Sequence, residues 1–216
     1  MDYLDAVNYV LNQIGSPGVA APEVGMPDYD AAERRLAEAS TWVQKRGWWY
    51  NTETNVTLYV EEDGTIILPT NLLKVLNSKS GFMLARGGLA YNPNTQSTDW
   101  SGYTSINVSW VLLQPWENLP EVATDVIRIA AAQEMITIEL EDMRKADSLS
   151  SKYRDAYVEM KKDDLEIKKR SKQYNPAFTC VRGRVRPVNP GCCTSSSAIF
   201  PTGNNQSQPV EGGGGF

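Results

Sequence analysis

The chain has 216 residues, of which 41% are hydrophobic, and this length is sufficient to bury the core of one or two domains. The formal net charge of −5 argues against a nucleic-acid-binding surface that covers the whole protein. No apolar run reaches the roughly 18 residues of a membrane-spanning helix. The first residues include acids where a signal peptide has Lys or Arg. We therefore expect a soluble protein without an export signal.

The residue types that catalysis and metal binding need are scarce. The chain has no histidine, which removes the commonest general base and the commonest metal ligand. Its three cysteines are Cys180, Cys192 and Cys193; neighbouring cysteines rarely form a disulfide, and this spacing does not match a zinc site. The glycine-rich stretches at 86–88 and 212–215 do not connect a strand to a helix as a phosphate loop does. We therefore expect no enzyme activity, no cofactor and no metal site.

Two helices are predicted within residues 1–50, the first part of a helical bundle. The first helix is indicated by apolar residues at helical spacing, namely Leu4, Val7, Leu11 and Ile14. It ends at Gly15, and a surface linker rich in proline follows. The second helix is expected to begin near Asp28 or Asp30, either of which would cap it, and to end just before Gly47.

Three large aromatic residues, Trp48, Trp49 and Tyr50, follow Gly47 where the helical period gives way to a period of two. Trp48 and Trp49 are expected to point to opposite sides of the chain, so that one closes the helical bundle and the other closes the next subdomain. The pattern predicts a structural corner between two subdomains, and the alternative is a subunit interface.

Residues 51–114 are predicted to form a small antiparallel β-domain inserted into the helical protein. The first strand is predicted around Val56, Leu58 and Val60, and a turn at 61–64 leads to the segment 65–69. A hairpin over 82–91 is predicted to turn at Gly87-Gly88. A polar loop at 92–102 and a strand over 105–113 follow. The fold class predicted from these patterns is α+β.

Helical periodicity returns in residues 115–175, the second part of the bundle. Asn118 is predicted to cap the first helix there, with Pro120 in its first turn and Glu121 completing a capping box. A break is expected at 145–148, so the apolar stripes predict two long helices that form an antiparallel hairpin.

The remaining residues, 176–216, are rich in Pro, Gly, Ser and Asn and are predicted to form an extended, partly disordered C-terminal arm. Phe178 and other apolar residues suggest that the arm becomes ordered on a partner. Arg182, Arg184 and Arg186 alternate along the chain, so an extended arm would present them on one side. They suit phosphates or acidic side chains, and the acidic character of the chain favours a protein partner over nucleic acid.

Four segments, taken in order, resemble tail tubular protein A, the head-to-tail adaptor family of short-tailed, podovirus-type phages. They are AVNYVLNQIGSPGV (6–19), AAERRLAEASTWVQKRGWWYNTETNVTL (31–58), ARGGLAYNPNT (85–95) and INVSWVLLQPWENLPEVATDVIRIAAAQE (106–134). The residues that follow about 176 differ from the family in length and composition.

The resemblance implies a structural protein in the virion tail at the head-to-tail junction, made in the host cytoplasm. Members of this family form a ring, a dodecamer, that joins the portal protein to the tail nozzle, tail tubular protein B. The ring forms part of the channel through which double-stranded DNA passes without sequence specificity, and tail fibres attach near the nozzle. No membrane and no cofactor are implied.

The resemblance carries over to few individual residues. Trp48, Trp49 and Tyr50 match the family's aromatic corner. Arg86, Gly87 and Gly88 match its hairpin turn and become candidate contacts with nozzle or fibre. Phe178, Arg182, Arg184 and Arg186 lie outside the matched segments, and we expect them to contact the portal or a neighbouring subunit.

The alternative function is a nucleic-acid-binding protein or assembly factor that does not remain in the virion. Stoichiometric presence in purified virions separates the adaptor from an assembly factor, and salt-sensitive DNA binding by the isolated chain favours nucleic-acid binding.

Overall fold

The structure is a computed structural model that describes residues 1–22, 25–78, 83–140 and 143–173. Contacts divide the chain into one compact unit, Met1–Lys169, and a second, Arg170–Phe216. The first unit combines α-helices with small antiparallel sheets, which confirms the predicted α+β class. The predicted C-terminal arm, 176–216, lies outside the described residues.

The helices of the described chain are α1 (Tyr3–Ile14), α2 (Pro27–Gln44), α3 (Glu121–Met135) and α4 (Met143–Gln173). A 3₁₀ turn precedes α3, and a π-helical turn, Ile136–Leu140, follows it. The predicted end of α1 is confirmed: Gly15 has φ +84°, and Ser16 N–H donates to the Leu11 carbonyl at 3.1 Å. Glycine suits this position because other residues are strained at positive φ.

The predicted helix caps are wrong. Helix α2 begins at Pro27 after Met26, whose side chain does not cap it, and the Asp30 carboxylate instead accepts a hydrogen bond from Gly25 N–H at 3.2 Å. Helix α3 follows Pro120 without a side-chain cap, and Asn118 belongs to the preceding 3₁₀ turn. Pro27 is the first residue of α2 and Pro120 immediately precedes α3, so a proline with its fixed φ stands at the start of each helix, where a polar cap was expected.

The predicted break at 145–148 is also wrong, because α4 runs through this segment. Ala146 is buried there, and the Ser148 hydroxyl donates to the Lys145 carbonyl at 2.8 Å, so the segment continues an amphipathic helix. The irregularity lies earlier, at the π-helical turn that ends α3.

The four helices surround one hydrophobic core, to which Leu11, Leu36, Ile127 and Met160 contribute. Helix α4 contacts the end of α2 and the segment that follows it. Its Tyr153 ring lies 6.4 Å from the Trp42 ring, and further along, the Asp164 carboxylate accepts a hydrogen bond from Trp49 N–H at 3.0 Å.

The strands are β1 (Thr52–Tyr59), β2 (Leu72–Ser78), β3 (Leu84–Arg86), β4 (Leu89–Tyr91) and β5 (Ser105–Leu112). A three-stranded sheet has the order β1-β5-β2, with antiparallel pairing on both sides of β5. Strands β3 and β4 form the hairpin predicted over 82–91. The strand predicted over 105–113 is confirmed, and it occupies the centre of the sheet.

The segment after the 61–64 turn does not pair back with β1. Instead it lies beside β4, where Ile67 forms a bridge with Leu89 and Ala90 N–H donates to the Ile66 carbonyl at 3.0 Å. Strand β2 is an element that the sequence patterns did not predict. It takes the second edge of the sheet because β1 occupies the other edge of β5.

The β-region has a second hydrophobic core of its own, which includes Ile66, Ala90, Ile106 and Val108. Trp100, from the loop that the sequence indicated as polar, belongs to this core together with Trp110. The Trp100 ring is fully buried, and its Nε1–H donates to the Ala90 carbonyl at 2.9 Å. One aromatic residue therefore fastens this loop to the hairpin.

Candidate functional site: an aromatic corner and an exposed hairpin

The corner between α2 and β1 begins with a close approach of the backbone to β5. Gly47 has φ +83°, and a Cβ built on it would lie 3.0 Å from the Val111 Cγ2 atom. Its N–H donates to the Gln44 carbonyl at 3.1 Å. Glycine fits both the left-handed backbone and the limited space.

The three aromatic residues after Gly47 all pack on the helical core. Trp48 is buried, its Nε1–H donates to the Val43 carbonyl at 2.8 Å, and its ring meets the Tyr157 ring edge-on at 5.7 Å. Trp49 and Tyr50 are partly buried against the same core. The expectation that one of these aromatic residues packs on the β core is wrong. Asn51 N–H donates to the Trp48 carbonyl, and this turn keeps all three aromatic residues on the helical side.

Two buried amide side chains join the helical region to the sheet. The Asn51 Oδ1 accepts from Trp48 N–H at 2.8 Å, while its Nδ2 donates to the carbonyls of Gln44 at 2.9 Å and Leu112 at 3.1 Å. The Gln44 side chain binds both backbone groups of Gln114. Sequence reasoning did not identify either residue, because a single buried amide leaves no periodic signal.

The Tyr50 hydroxyl is buried and has no hydrogen-bond partner among the described residues. Desolvation by burial raises the pKa of this phenol above its ordinary value. The hydroxyl therefore stays neutral near neutral pH, and Tyr50 contributes to the corner mainly through ring packing, including an edge-on contact with Trp49 at 5.3 Å.

The hairpin residues Arg86, Gly87 and Gly88 are exposed at the β3–β4 turn. Gly87 and Gly88 have φ +59° and +79°, which is the backbone of a tight two-residue hairpin turn. The Arg86 guanidinium lies over the Tyr91 ring, 3.8 Å from its centroid. The cation is thus held in a fixed position on an aromatic surface.

One face of the hairpin is an exposed, largely apolar surface. Because partners in antiparallel pairs project to the same side, the pairings Ile67–Leu89, Arg86–Leu89 and Leu84–Tyr91 place five side chains together. We call them the hairpin face: Ile67, Leu84, Arg86, Leu89 and Tyr91. The opposite side buries Ala90, whereas Ile67 is 65% exposed.

The other predicted contact residues, Phe178, Arg182, Arg184 and Arg186, lie outside the described residues. Within the part of the chain that the structure describes, no group of acidic or cysteine side chains has the arrangement of a metal site, and no helix has the length and apolar character needed to cross a bilayer.

The carboxylates in the β-region loops stabilise turns. Hydrogen bonds from Thr65 hold the pKa of Asp63 below its ordinary value, and hydrogen bonds from Ser101 do the same for Asp99. These interactions shape the loops at 61–65 and 97–104.

Comparison with protein families gives a match over residues 4–170 to the family described as Tail tubular protein. The chain belongs to the tail tubular protein family. No match was found among curated proteins. As a member of this family, the protein is a structural component of the phage virion tail.

The family match includes both hydrophobic cores of this tail tubular protein, with the aromatic corner and the hairpin. It ends at residue 170, within α4. The arm residues Phe178, Arg182, Arg184 and Arg186 therefore lie beyond the matched part of the chain.

Proposed function

We propose that this tail tubular protein is the head-to-tail adaptor, a ring that joins the portal protein to the tail nozzle, tail tubular protein B. The observation that carries the proposal is the family match over residues 4–170, taken with the resemblance of the ordered segments to the adaptor. In this proposal the protein acts at the head-tail junction of the virion, is made in the host cytoplasm and has no catalytic role.

The hairpin face supports a role as a platform for the nozzle or a tail fibre. Binding energy at protein interfaces concentrates in arginine and aromatic side chains within an apolar surround. Arg86 stacked on Tyr91, with exposed Ile67 and Leu84 beside them, has this composition. The turn at Gly87-Gly88 leaves the adjacent surface open, because a Cβ on either glycine would meet no atom within 4 Å.

The long helix α4 supports the ring. Its exposed surface carries charges of both signs, including Arg144, Lys152 and Asp155, which suit pairing with the opposite edge of a neighbouring copy. A heterologous contact of this kind, repeated about an axis, closes into a ring. The dodecameric number rests on the family resemblance.

The charge of the chain supports a role in the DNA ejection channel. With a formal net charge of −5, the chain would repel rather than retain passing double-stranded DNA, and no sequence specificity is needed for passage. The arm residues Phe178, Arg182, Arg184 and Arg186 are proposed to contact the portal or a neighbouring subunit.

The helical segments 1–50 and 115–175 and the inserted β-domain 51–114 are proposed as the working subdomains of the adaptor. The two separate hydrophobic cores support this division. The helices would build the ring wall, and the β-domain would face the nozzle and fibres.

The test is a mass measurement in solution, first on the full chain alone and then after mixing with purified portal rings. Co-migration with the portal in a fixed multiple of chains is expected for an adaptor. A chain that is absent from purified tailed virions and ignores portal rings under all salt conditions would overturn the proposal. Salt-sensitive DNA binding by that same chain would then favour nucleic-acid binding.

A further inference from the structure

Strand β3 is a free edge of the small hairpin sheet. One side of β3 pairs with β4, and β4 pairs on its other side with the segment around Ile67. The described residues place no strand on the outer side of β3. This edge therefore presents backbone groups that a further strand can use.

The hydrogen bonds of β4 show which backbone groups of β3 face outward. Ala90 N–H donates to the Ile66 carbonyl at 3.0 Å, on the side of β4 away from β3. Ala85 is the register partner of Ala90, and the two residues of such an antiparallel pair turn their backbone groups away from each other. The N–H and the carbonyl of Ala85 therefore point out of the sheet edge, where the described residues offer them no hydrogen-bond partner.

The two edges of the three-stranded sheet differ from β3, because they carry features that oppose the addition of a strand. Strand β1 is interrupted by a register shift between Glu53 and Val56, with Asn55 at φ +58°. Strand β2 has register shifts and an exposed lysine, Lys74. Bulges and lysines of this kind keep edges from pairing. Strand β3 has a regular register and neither proline nor lysine.

The charged residue of β3 leaves the edge accessible. The Arg86 guanidinium lies 3.8 Å from the centroid of the Tyr91 ring. Because Tyr91 belongs to β4, the cation leans across the hairpin and away from the free edge. No carboxylate of the described residues forms an ion pair with Arg86. A strand can therefore approach Ala85 without breaking an ion pair.

The side chains of β3 indicate what kind of strand fits beside it. All three are exposed, including Ala85, although its register partner Ala90 is fully buried. Partners in an antiparallel pair project to the same side, so the second hydrophobic core covers Ala90 but does not extend over Ala85. A strand added to the edge would place one side chain beside Ala85, and the side chains before and after it on the hairpin face, next to Leu84 and Arg86. The edge thus fits an extended segment with apolar side chains on both sides.

We propose that the tail protein that docks on the hairpin face adds a strand to the β3 edge and forms hydrogen bonds with the N–H and the carbonyl of Ala85. This rests on the proposed platform and specifies how the partner is held there. The occupant is an extended polypeptide, because a strand presents donors and acceptors at the spacing of a sheet edge. Main-chain pairing supplies affinity in this mode of binding, and the side chains next to Leu84 and Ala85 supply selectivity.

Two other occupants fit the edge less well. Pairing of β3 with the β3 strand of a second copy is a two-fold contact that uses both edges, so it cannot be repeated around a ring. The C-terminal arm would bring the cations of Arg182, Arg184 and Arg186 to the cation of Arg86, and like charges repel at this distance. A segment of another protein meets neither obstacle.

The test uses the full chain and whichever of the purified nozzle and tail-fibre proteins it retains in a pull-down. Ala85→Pro removes the outward N–H but no hydrogen bond of the hairpin, so the melting temperature is expected to stay at the wild-type value. Binding is expected to weaken at least about tenfold, which corresponds to the loss of one interface hydrogen bond. The matched control, Ala85→Ser, keeps the N–H and is expected to bind as the unmodified chain does.

Hydrogen exchange of the unmodified chain, resolved to single amides, gives a second readout that needs no substitution. The Ala85 amide is expected to exchange rapidly in the free chain and at least about tenfold more slowly in the complex. The Leu89 amide faces β3 inside the hairpin, so it is expected to exchange slowly in both states and serves as the reference. If Ala85→Pro does not fold, this measurement decides.

The added strand would be overturned by a folded Ala85→Pro variant that binds as tightly as the unmodified chain, or by an Ala85 amide that still exchanges rapidly in the complex. If Arg86→Ala weakens binding in that case, the platform stands and docking uses the hairpin face alone. Protection of the Ala85 amide at high concentration without a partner would assign the edge to a second copy and overturn the proposal. An unmodified chain that retains neither tail protein would overturn the platform, and the added strand with it.

Discussion

Gln44, the last residue of α2, pairs in both directions with the backbone of Gln114, which follows β5. Its Oε1 accepts from Gln114 N–H at 2.8 Å, and its Nε2 donates to the Gln114 carbonyl at 3.1 Å. The Gln44 carbonyl also accepts from Asn51 at 2.9 Å. One buried amide pair thus joins the end of a helix, the beginning of β1 and the end of β5.

Gln44→Met is expected to lower the free energy of unfolding by about 1–3 kcal/mol, because it keeps the side-chain volume but leaves the partly buried backbone groups of Gln114 without their partner. Asn51→Ala is expected to cost about 2–4 kcal/mol, because three hydrogen bonds are lost together. The double variant should lose less than the sum, since both side chains support one turn. Urea denaturation measures all three values.

The control for these variants is Asn118→Ala. Asn118 is exposed, and its side chain does not cap α3, so the change in unfolding free energy is expected to stay within about 0.5 kcal/mol. A cost comparable to that of Asn51→Ala would show that the predicted cap is formed after all.

Trp48 is expected to contribute more to stability than its neighbour Trp49. Trp48→Ala removes a buried ring, its hydrogen bond to Val43 and its edge-on contact with Tyr157, and should cost about 3–5 kcal/mol. Trp49→Ala should cost less, because that ring is only partly buried and its backbone N–H keeps Asp164 as a partner. Equal costs in denaturant titrations would contradict the asymmetric packing of the corner.

Periodicity predicted the elements whose burial follows a simple repeat. The stripe of α1 and the central strand β5 are confirmed because each buries one regular face. Strand β2 was missed, since its sequence, LLKVLNS, has neighbouring apolar residues rather than a strict alternation of apolar and polar residues. Residues 92–102 were predicted to be a polar loop from their composition. The structure shows that the buried ring of one residue, Trp100, determines how this loop packs.

The candidate site was predictable in part. The three aromatic residues located the corner in the sequence. The core on which they pack depends on the turn at Asn51, which is a tertiary feature. The hairpin turn was readable because two adjacent glycines suit positive φ. The hairpin face was not, because Ile67 joins it only through pairing between the 65–69 segment and β4.

Arg86→Ala is expected to weaken binding to the nozzle protein or a tail fibre about tenfold or more, with little change in stability. The guanidinium stacks on an exposed face, so its removal costs the free chain at most about 1 kcal/mol, whereas arginines of this kind dominate interface energies. Pull-down of purified nozzle and fibre proteins measures the effect.

Lys74→Ala is the matched control for Arg86→Ala, because Lys74 is an exposed base on β2 outside the hairpin face. It should leave both binding reactions unchanged. Similar losses for the two variants would indicate a general effect of charge, and the hairpin face would then not be the contact.

Glu134→Gln is expected to stabilise the free chain at neutral pH. Burial raises the pKa of this carboxyl in the folded state, so ionisation is less favourable in the folded chain than in the unfolded chain. The resulting cost is fully present above the folded pKa and disappears below the unfolded pKa.

Because the side chain is more than a third exposed, the melting temperature at pH 7 should rise by only about 1–2 °C. At about pH 3.5, where the unfolded carboxyl is also protonated, the two chains should melt together. A lower melting temperature for the variant at pH 7 would show that attraction to Arg35 outweighs desolvation.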